Sequence, residues 1–456
     1  MPKRTRDLLK FLIPLLILVF IWRFLPRTDV FLIYPNEDTS LPPLYPYLQD
    51  KERRLPQHNL DLPYPEGRSA KMLRFGNQML ASTTNCKKRY CNTHIAYLSK
   101  RTYVFTPFTW DLNDEPFVPI ASDSHLADSP YKVRPTRVPL TAYINSPTSG
   151  SPWPPGDPAP RSVSVEWWDR ICPESERLHI NTTEVNAQIG VDFDNDEGID
   201  IIEKWVKYIQ SIERRCVNIL WATPRIIDFE LLDSERLMSL WPTYSKSPVV
   251  THFAWSPIVL SAVERNLPAL TPRTGQPIHW PWVDNSFQIP GLLTLHLRRG
   301  DYKRHCGWMK TWAEFEGWNR LPFLSDQWNP PVDPADRAQY TFNRCWIDID
   351  RVMKRLDNLR EEHPDANLDK IFVSTNGTPE WLEELKKRLW KRGWRSVITT
   401  RDLELTWQER GVDNAVDMEL AAWGEVFIAN GYSSFSSTVV RIRMVRGLPP
   451  KSTRIW

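Results

Sequence analysis

The stretch that decides the fold is Leu292–Asp301, which reads LLTLHLRRGD. Apolar residues open it and a charged turn closes it, which is typical of a buried strand that ends at a ligand site. His296 and Arg298 alternate with leucines, so both side chains lie on one face of the strand. Because a guanidinium group matches the geometry of phosphate oxygens, we expect Arg298 to bind a diphosphate.

Short apolar strands alternate with helices on both sides of this stretch. Strands are predicted at 102–106, 292–297, 371–375, 397–399 and 426–429, and helices at 200–215, 346–362, 379–392 and 412–423. This alternation predicts parallel sheets covered by helices on both faces, and 456 residues suffice for two such lobes. The proline-rich residues 277–290 are predicted to link the lobes, and residues 141–160 to form a surface loop.

The N-terminal residues predict a membrane anchor. Residues 8–25 are apolar with basic residues before them, which predicts a cytosolic tail at 1–7 and a transmembrane signal anchor at 8–25. Residues 26–65 are predicted to be a stem with little fold of its own. A cleaved signal peptide is the alternative, since Pro14 interrupts a short run, although bulky residues occupy the expected cleavage site. The prediction is a single-pass type II protein of the Golgi or ER membrane, with its catalytic part in the lumen.

Charge and cysteine content exclude two function classes. With 58 Lys and Arg against 55 Asp and Glu, the net charge is +3, so there is no basic field for a nucleic-acid partner. The six cysteines form no CxxC pair or zinc-type spacing, which argues against structural zinc. They permit up to three disulfides, of which we predict only the local pair Cys86–Cys91.

Two further stretches carry residues suited to a sugar nucleotide. Arg74–Gln78 (RFGNQ) has a glycine that lets the backbone approach a ligand and an asparagine suited to a sugar hydroxyl. Asp417–Ser437 predicts a helix, a strand and a small-polar loop that opens a last helix, an arrangement suited to phosphate. Alone, the first is equally an ordinary turn and the second an ordinary helix cap.

In their order along the chain, these three stretches resemble the GDP-fucose protein O-fucosyltransferase-like family. The family has an RFGN-type turn, a central H-x-R after a strand, and a C-terminal block of the type FIGT-x-x-STFS, which here reads FIANGYSSFS at Phe427–Ser436. The resemblance covers roughly residues 71–446. Ala429–Tyr432 depart from it, because the family more often has Gly, Thr and smaller residues there.

The resemblance implies a fold, a donor and a reaction. The fold would be α/β and GT-B-like, with two facing Rossmann-like lobes, an acceptor-side lobe at 66–285 and a donor-side lobe at 286–456. The donor would be GDP-β-L-fucose, and fucose would pass with inversion to a protein or glycan hydroxyl. No cofactor and no metal would be required.

The resemblance also implies roles for individual residues. Arg298 and Asn77 would be catalytic, with Arg298 stabilising the departing GDP and Asn77 facing the fucose. The binding residues would be His296, Asp417, Ser433, Ser434, Phe435, Phe75 and Gly76. Of these, Asp417 would contact the guanosine, and Ser433, Ser434 and Phe435 would hold the diphosphate and pack the base.

Several alternatives stay open. An inactive lectin-like relative with the nucleotide pocket, and a transferase that uses another nucleotide sugar, both fit the same motifs. The general base is not identified among Asp301, Glu66 and Asp111, and the acceptor cannot be read from the sequence. We expect Trp308, Trp312 and Trp318 to serve core and loop packing, with aromatic stacking on a sugar as the alternative. The sequons at Asn181 and Asn376 are compatible with lumenal exposure.

Overall fold

The computed structural model of the protein describes residues 38–76, 83–111, 113–120, 131–220, 226–271 and 287–456, with the backbone alone at 83–87 and 229. Residues 39–456 form one compact unit. The predicted anchor at 8–25 lies outside the described residues, and within them no helix is long and apolar enough to cross a bilayer.

The strands of the described residues are, in chain order, β1 (Met72–Phe75), β2 (Thr102–Phe105), β3 (Phe108–Thr109), β4 (Phe117–Pro119), β5 (Val133–Pro135), β6 (Arg137–Val138), β7 (Val163–Ser164), β8 (Arg177–Ile180), β9 (Cys216–Ile219), β10 (Ile289–His296), β11 (Lys370–Ser374), β12 (Ser396–Thr399), β13 (Gly424–Ala429) and β14 (Thr453–Ile455).

The α-helices of the same residues are α1 (Pro46–Arg53), α2 (Thr83–Leu98), α3 (Leu140–Tyr143), α4 (Val165–Ile171), α5 (Thr182–Ile189), α6 (Gly198–Ser211), α7 (Phe229–Leu232), α8 (Trp241–Tyr244), α9 (Pro248–Thr251), α10 (Pro257–Leu270), α11 (Tyr302–Met309), α12 (Pro334–Cys345), α13 (Ile349–Glu362), α14 (Pro379–Lys391), α15 (Asp413–Ala422) and α16 (Ser434–Val445).

Two five-stranded parallel sheets organise the compact unit. The first has the order β7-β2-β1-β9-β8 and the second the order β12-β11-β10-β13-β14. Every residue of β11 is buried, as expected for a strand covered on both faces. The structure therefore confirms the predicted parallel α/β architecture.

In the second sheet, the order in which strands are added changes direction at the central strand β10. From β10 it adds β11 and β12 on one side, and then crosses back to add β13 and β14 on the other. The point between the carboxyl ends of β10 and β13 is thus a topological switch point, where open α/β sheets form a crevice.

Helix α14 shows how local sequence builds a covering layer. Thr378 caps it by accepting a hydrogen bond from the backbone N–H of Trp381, and a proline occupies its first turn. Leu382, Leu385 and Leu389 recur at helical spacing and are buried. Each contributes about 1.5–3 kcal/mol by leaving water, so the helix is held mainly by its apolar face.

The predicted stem is wrong for residues 38–65. These residues are folded, and they form hydrogen bonds with residues near each of the two sheets. Near the second sheet, the indole N–H of Trp407 donates to the carbonyl of Leu41 over 2.6 Å. Near the first, the buried carboxylate of Glu52 accepts from the backbone N–H and hydroxyl of Thr141 at 2.8 and 2.9 Å. The charged residues of this segment suggested a solvated linker. Instead, Glu52 and Leu41 bond to residues that lie far away in the chain.

The first half of the predicted surface loop at 141–160 is buried instead. Residues 141–150 include the end of α3 and a short 3-10 helix, and nine of these ten residues are buried. Gln57 donates to the carbonyls of Gly150 and Ser162 at 2.9 and 2.6 Å. Proline, serine and glycine indicated an irregular backbone correctly, but not its position, which these long-range bonds set.

Two disulfides join distant parts of the fold, Cys172–Cys216 and Cys306–Cys345. The first connects the end of α4 to β9, and the second connects α11 to the end of α12. The predicted pair Cys86–Cys91 stays a prediction, because the side chain of Cys86 is outside the described part of the chain.

Candidate active site at the switch point of the second sheet

His296 ends β10 and contacts the start of α16, on the other side of the switch point. Its Nδ1 lies 2.8 Å from Oγ of Ser436, and its ring centre lies 4.3 Å from that of Phe435. Ser436 Oγ already accepts from the backbone N–H of Asn430 at 2.8 Å. When the serine hydroxyl donates to Nδ1, the histidine carries its proton on Nε2.

The imidazole of His296 is neutral. Burial, together with the Arg298 guanidinium, lowers its pKa to about 3. It offers an uncharged N–H donor over the whole physiological pH range.

Arg298 lies two residues beyond this histidine and is loosely held. Its Nη2 is 3.4 Å from Oδ2 of Asp301, and its side chain is 28% exposed. The guanidinium carbon lies 5.0 Å from the ring centre of Tyr302, whose hydroxyl donates to the carbonyl of Tyr432. Tyr302 thus connects the arginine to the residue before Ser433, so that the two predicted phosphate-binding elements occupy the same edge of the sheet.

Arg299 differs completely from its neighbour. It is 5% exposed, donates to the carbonyl of Ile347, and lies 4.8 and 4.2 Å from the ring centres of Trp346 and Trp381. Its backbone N–H donates to Oδ1 of Asn376 at 2.7 Å. Arg299 therefore fixes the turn, while the adjacent arginine points its charge outward.

The small-polar loop after β13 opens α16, whose N-cap residue is Ser433. Ser433 is buried, and its carbonyl accepts from the backbone N–H of Ser437 at 3.0 Å. Phe435 is buried on His296, whereas Ser434 is partly exposed. The first amides of a helix have no partner within it and form a partial positive charge, as phosphate binding requires.

Asp417 of α15 lies at the same edge of the sheet. Its Oδ2 accepts from the hydroxyls of Ser374, at the end of β11, and Thr400, just after β12, at 2.8 and 2.6 Å. Its Oδ1 is buried and makes no hydrogen bond with any described residue. Burial raises the pKa of Asp417 to about 7, against the two hydroxyl bonds.

No protein-family model matches the chain. GDP-fucose protein O-fucosyltransferase 2 of Homo sapiens is 32% identical over 105 residues, which is 23% of this chain and 23% of the relative. The Pan troglodytes protein of the same name matches equally. Over these 105 residues the chain is similar to an O-fucosyltransferase. The match spans under a quarter of the length of these curated relatives.

Solved structures of fucosyltransferases are also similar to the chain. POFUT1 in complex with GDP has a TM-score of 0.49 at 13% identity, over 84% of this chain and 97% of that one. POFUT1 in complex with GDP-fucose has a TM-score of 0.49 at 12% identity, over 84% and 98%. The NodZ alpha-1,6-fucosyltransferase soaked with GDP-fucose has a TM-score of 0.37 at 10% identity, over 82% and 92%.

The structure describes only part of the RFGN-type turn. Phe75 ends β1, is 2% exposed and packs on Tyr103, so it belongs to the core of the first sheet rather than to a ligand surface. Gly76 follows it and donates its N–H to the carbonyl of Ile219 at 2.8 Å. Asn77, the other predicted catalytic residue, lies outside the described residues.

The three candidate general bases have different neighbours in the structure. Burial acts to raise the pKa of Glu66, but hydrogen bonds from Arg161, at 2.6 to 3.1 Å, lower it overall. Glu66 is therefore the partner of an arginine in the first lobe. Asp111 lies near Arg134, whose pKa it affects. Asp301 is the candidate beside Arg298.

Three neighbours of the site were not assigned from the sequence. Ser436 lies in the quoted C-terminal block, and its contact with His296 could not be inferred without the sheet order. For Tyr302, the sequence showed only that it follows the charged turn, and not that its ring contacts Arg298. Asn376 looked like a glycosylation site, but its side-chain amide bonds both backbone groups of Arg299, at 2.7 and 3.1 Å, and so closes the turn.

Of the three tryptophans predicted to serve core and loop packing, only Trp318 lies in the core. Trp318 is 1% exposed and stacks on Tyr244, as expected for core packing. Trp308 and Trp312 are 63% and 49% exposed. Among the described residues there is no group of three or more His, Cys, Asp or Glu side chains that could hold a metal ion.

Proposed function

We propose that the chain is an inverting glycosyltransferase that moves fucose from GDP-β-L-fucose to a hydroxyl of a protein or glycan. The observation that carries the proposal is the grouping of Arg298, His296 and the start of α16 around one switch point. A partly exposed guanidinium, a neutral N–H donor and the first amides of a helix are together suited to a diphosphate.

Arg298 would stabilise the departing GDP. Negative charge grows on the β-phosphate as the glycosidic bond breaks, and a fixed cation at that position lowers the barrier more than it strengthens ground-state binding. In this role the guanidinium replaces a metal ion, so we propose transfer without one. His296 would donate its Nε2 proton to the nucleotide, with Ser436 fixing the tautomer.

Asp417 would recognise guanine. The base presents two adjacent N–H donors, and the Oδ1 atom of Asp417 is a buried acceptor without a partner among the described residues. A uracil base lacks this pair of donors. The carboxylate therefore favours a GDP-sugar over a UDP-sugar.

We also propose that this reaction takes place in the lumen of the Golgi or ER, on a protein anchored by residues 8–25. The disulfides Cys172–Cys216 and Cys306–Cys345 support this compartment, since such bonds persist in oxidising environments.

The proposed function is tested by donor binding and turnover. GDP and GDP-fucose are expected to raise the melting temperature, because a ligand at 100 times its Kd stabilises a protein by about 2.7 kcal/mol, whereas UDP should not. Fucose release from GDP-fucose should follow. A shift with UDP alone contradicts the donor, and a GDP shift without turnover identifies an inactive nucleotide-binding relative.

GDP affinity is expected to rise with pH between about 6 and 8, since guanine needs the ionised form of Asp417, whose pKa is about 7. Below that pKa, each unit of pH costs up to about tenfold in affinity. Calorimetric titrations at three pH values check this. The phosphate of GDP also titrates in this range, so the Asp417→Asn variant is the control. Only the part of the pH dependence that this variant loses is due to Asp417. An identical pH profile in both proteins contradicts the assignment.

A further inference from the structure

A strip of aromatic side chains leads away from Arg298 across the surface of the second lobe. We call Tyr302, His305, Trp308 and Trp312 the aromatic strip. Successive ring centres are 5.1, 5.9 and 4.7 Å apart, and the first ring lies 5.0 Å from the guanidinium carbon. The strip begins buried at Tyr302 and ends at two indoles that are 63% and 49% exposed.

The aromatic strip lies on a rigid support. The opposite side of α11 is buried through Cys306 and Met309, and Cys306 is joined by a disulfide to Cys345. After the helix, Ala313 is buried and its N–H donates to the carbonyl of Met309 at 2.9 Å. Two large apolar rings are thus held in water by a fixed backbone, although nothing in the packing of α11 requires them there.

We propose that the aromatic strip binds a saccharide, the acceptor of the transfer, and this rests on the proposed function. Exposed aromatic rings stack on the C–H faces of pyranoses, and the two exposed indoles, whose planes are 74° apart, offer two faces for such contacts. Lys303 and Lys310 are exposed beside it and supply donors for sugar hydroxyls. Because the strip starts at Arg298, a saccharide on it has its end next to the proposed donor site.

The width of the aromatic strip favours a saccharide over a protein. A stable protein interface buries about 800 Å² on each partner, far more than two indoles present. The other large exposed apolar side chains of the described residues lie apart from one another in the sequence, at Tyr47, Tyr64, Phe323, Val332 and Trp390. A narrow row of rings one helix wide matches a linear chain of sugars.

The test is calorimetric binding of three neutral trisaccharides, mannotriose, cellotriose and triacetylchitotriose, to the full-length protein. At least one is expected to bind with about millimolar affinity, and the double variant Trp308→Ala, Trp312→Ala should weaken it by about tenfold or more. Trp308→Phe keeps a ring and should retain most of the affinity. The matched control is Trp390→Ala, a 54% exposed tryptophan near the end of α14, at the opposite edge of the sheet, which should bind as the wild type does.

The outcomes separate the two proposals. If the protein binds GDP but none of the trisaccharides, the saccharide site is wrong and the donor site still holds. If it binds a trisaccharide but not GDP, the donor site is wrong and the saccharide site still holds. Equal affinity in the double variant, or equal weakening in the control, also overturns the saccharide site. If the wild type sediments as a dimer and the double variant as a monomer, without sugar binding, the aromatic strip pairs with a second copy instead.

Discussion

Replacing Arg298 with lysine is expected to lower the rate of fucose release from GDP-fucose by about 10²- to 10³-fold, the usual cost of removing one fixed donor to developing charge. Lysine keeps a positive charge but not the planar fork that holds two phosphate oxygens. Among the described residues, the only ion pair that the guanidinium would lose is the one with Asp301, which is 3.4 Å long. GDP binding should weaken much less than kcat, because the ground state carries less charge on the β-phosphate.

The measurement is kcat and the Kd of GDP for wild type, Arg298→Lys and a matched variant, Arg388→Lys. The side chain of Arg388 is 29% exposed, against 28% for Arg298, and it is also paired with an aspartate. It lies on α14, away from the switch point. Full activity in Arg298→Lys, or an equal loss in the matched variant, contradicts the proposed role.

Replacing the next residue, Arg299, with methionine is expected to affect stability instead, lowering the free energy of unfolding by about 2–5 kcal/mol. The carbonyl of Ile347 would lose its buried donor at a cost of about 1–3 kcal/mol, and each of the contacts with Trp346 and Trp381 adds about 0.5–1 kcal/mol. Burial lowers the pKa of Arg299 to about 10, so the side chain remains charged at neutral pH.

Urea unfolding followed by tryptophan fluorescence checks this second expectation. The control is the same substitution one residue earlier, Arg298→Met, which removes one long ion pair from a partly exposed side chain and should change stability by less than about 1 kcal/mol. If both variants unfold at the same urea concentration, the structural role of Arg299 is wrong.

These two arginines show where sequence reasoning stops. Strand alternation placed Arg298 on the same face as His296, and that inference needed only the period of a strand. It also put Arg299 on the other face, but it could not show that this face is enclosed by Trp346 and Trp381, which arrive from later helices. Adjacent identical residues acquire different roles because their neighbours come from distant parts of the chain.

Local patterns predicted the second sheet well because its strands are buried on both faces and its helices carry caps. Residues 371–375 and 379–392 were predicted within one residue of the observed β11 and α14. The helix predicted at 200–215 ends at Ser211 instead, since Arg214 and Arg215 lead into β9. Hydrophobic periodicity fixes the existence of an element more firmly than its end.

The residues at 38–65 and 141–150 were misjudged for a different reason. Both are rich in prolines or charges, which describe backbone irregularity and solubility but not location. Glu52 becomes a buried acceptor only because Thr141 lies opposite it, 89 residues away in the chain. Composition carries no information about such a partner.

By itself, the sequence determined that this protein builds parallel sheets with a cationic strand end, and which three motifs resemble O-fucosyltransferases, because strand period, caps and motif order are local properties. Only the tertiary structure decided that Ser436 contacts His296, that one oxygen of Asp417 has no partner among the described residues, and that Trp308 and Trp312 face solvent. Those facts depend on strand order and on helices that meet across the switch point, and contacts between residues so far apart in the chain are set by packing.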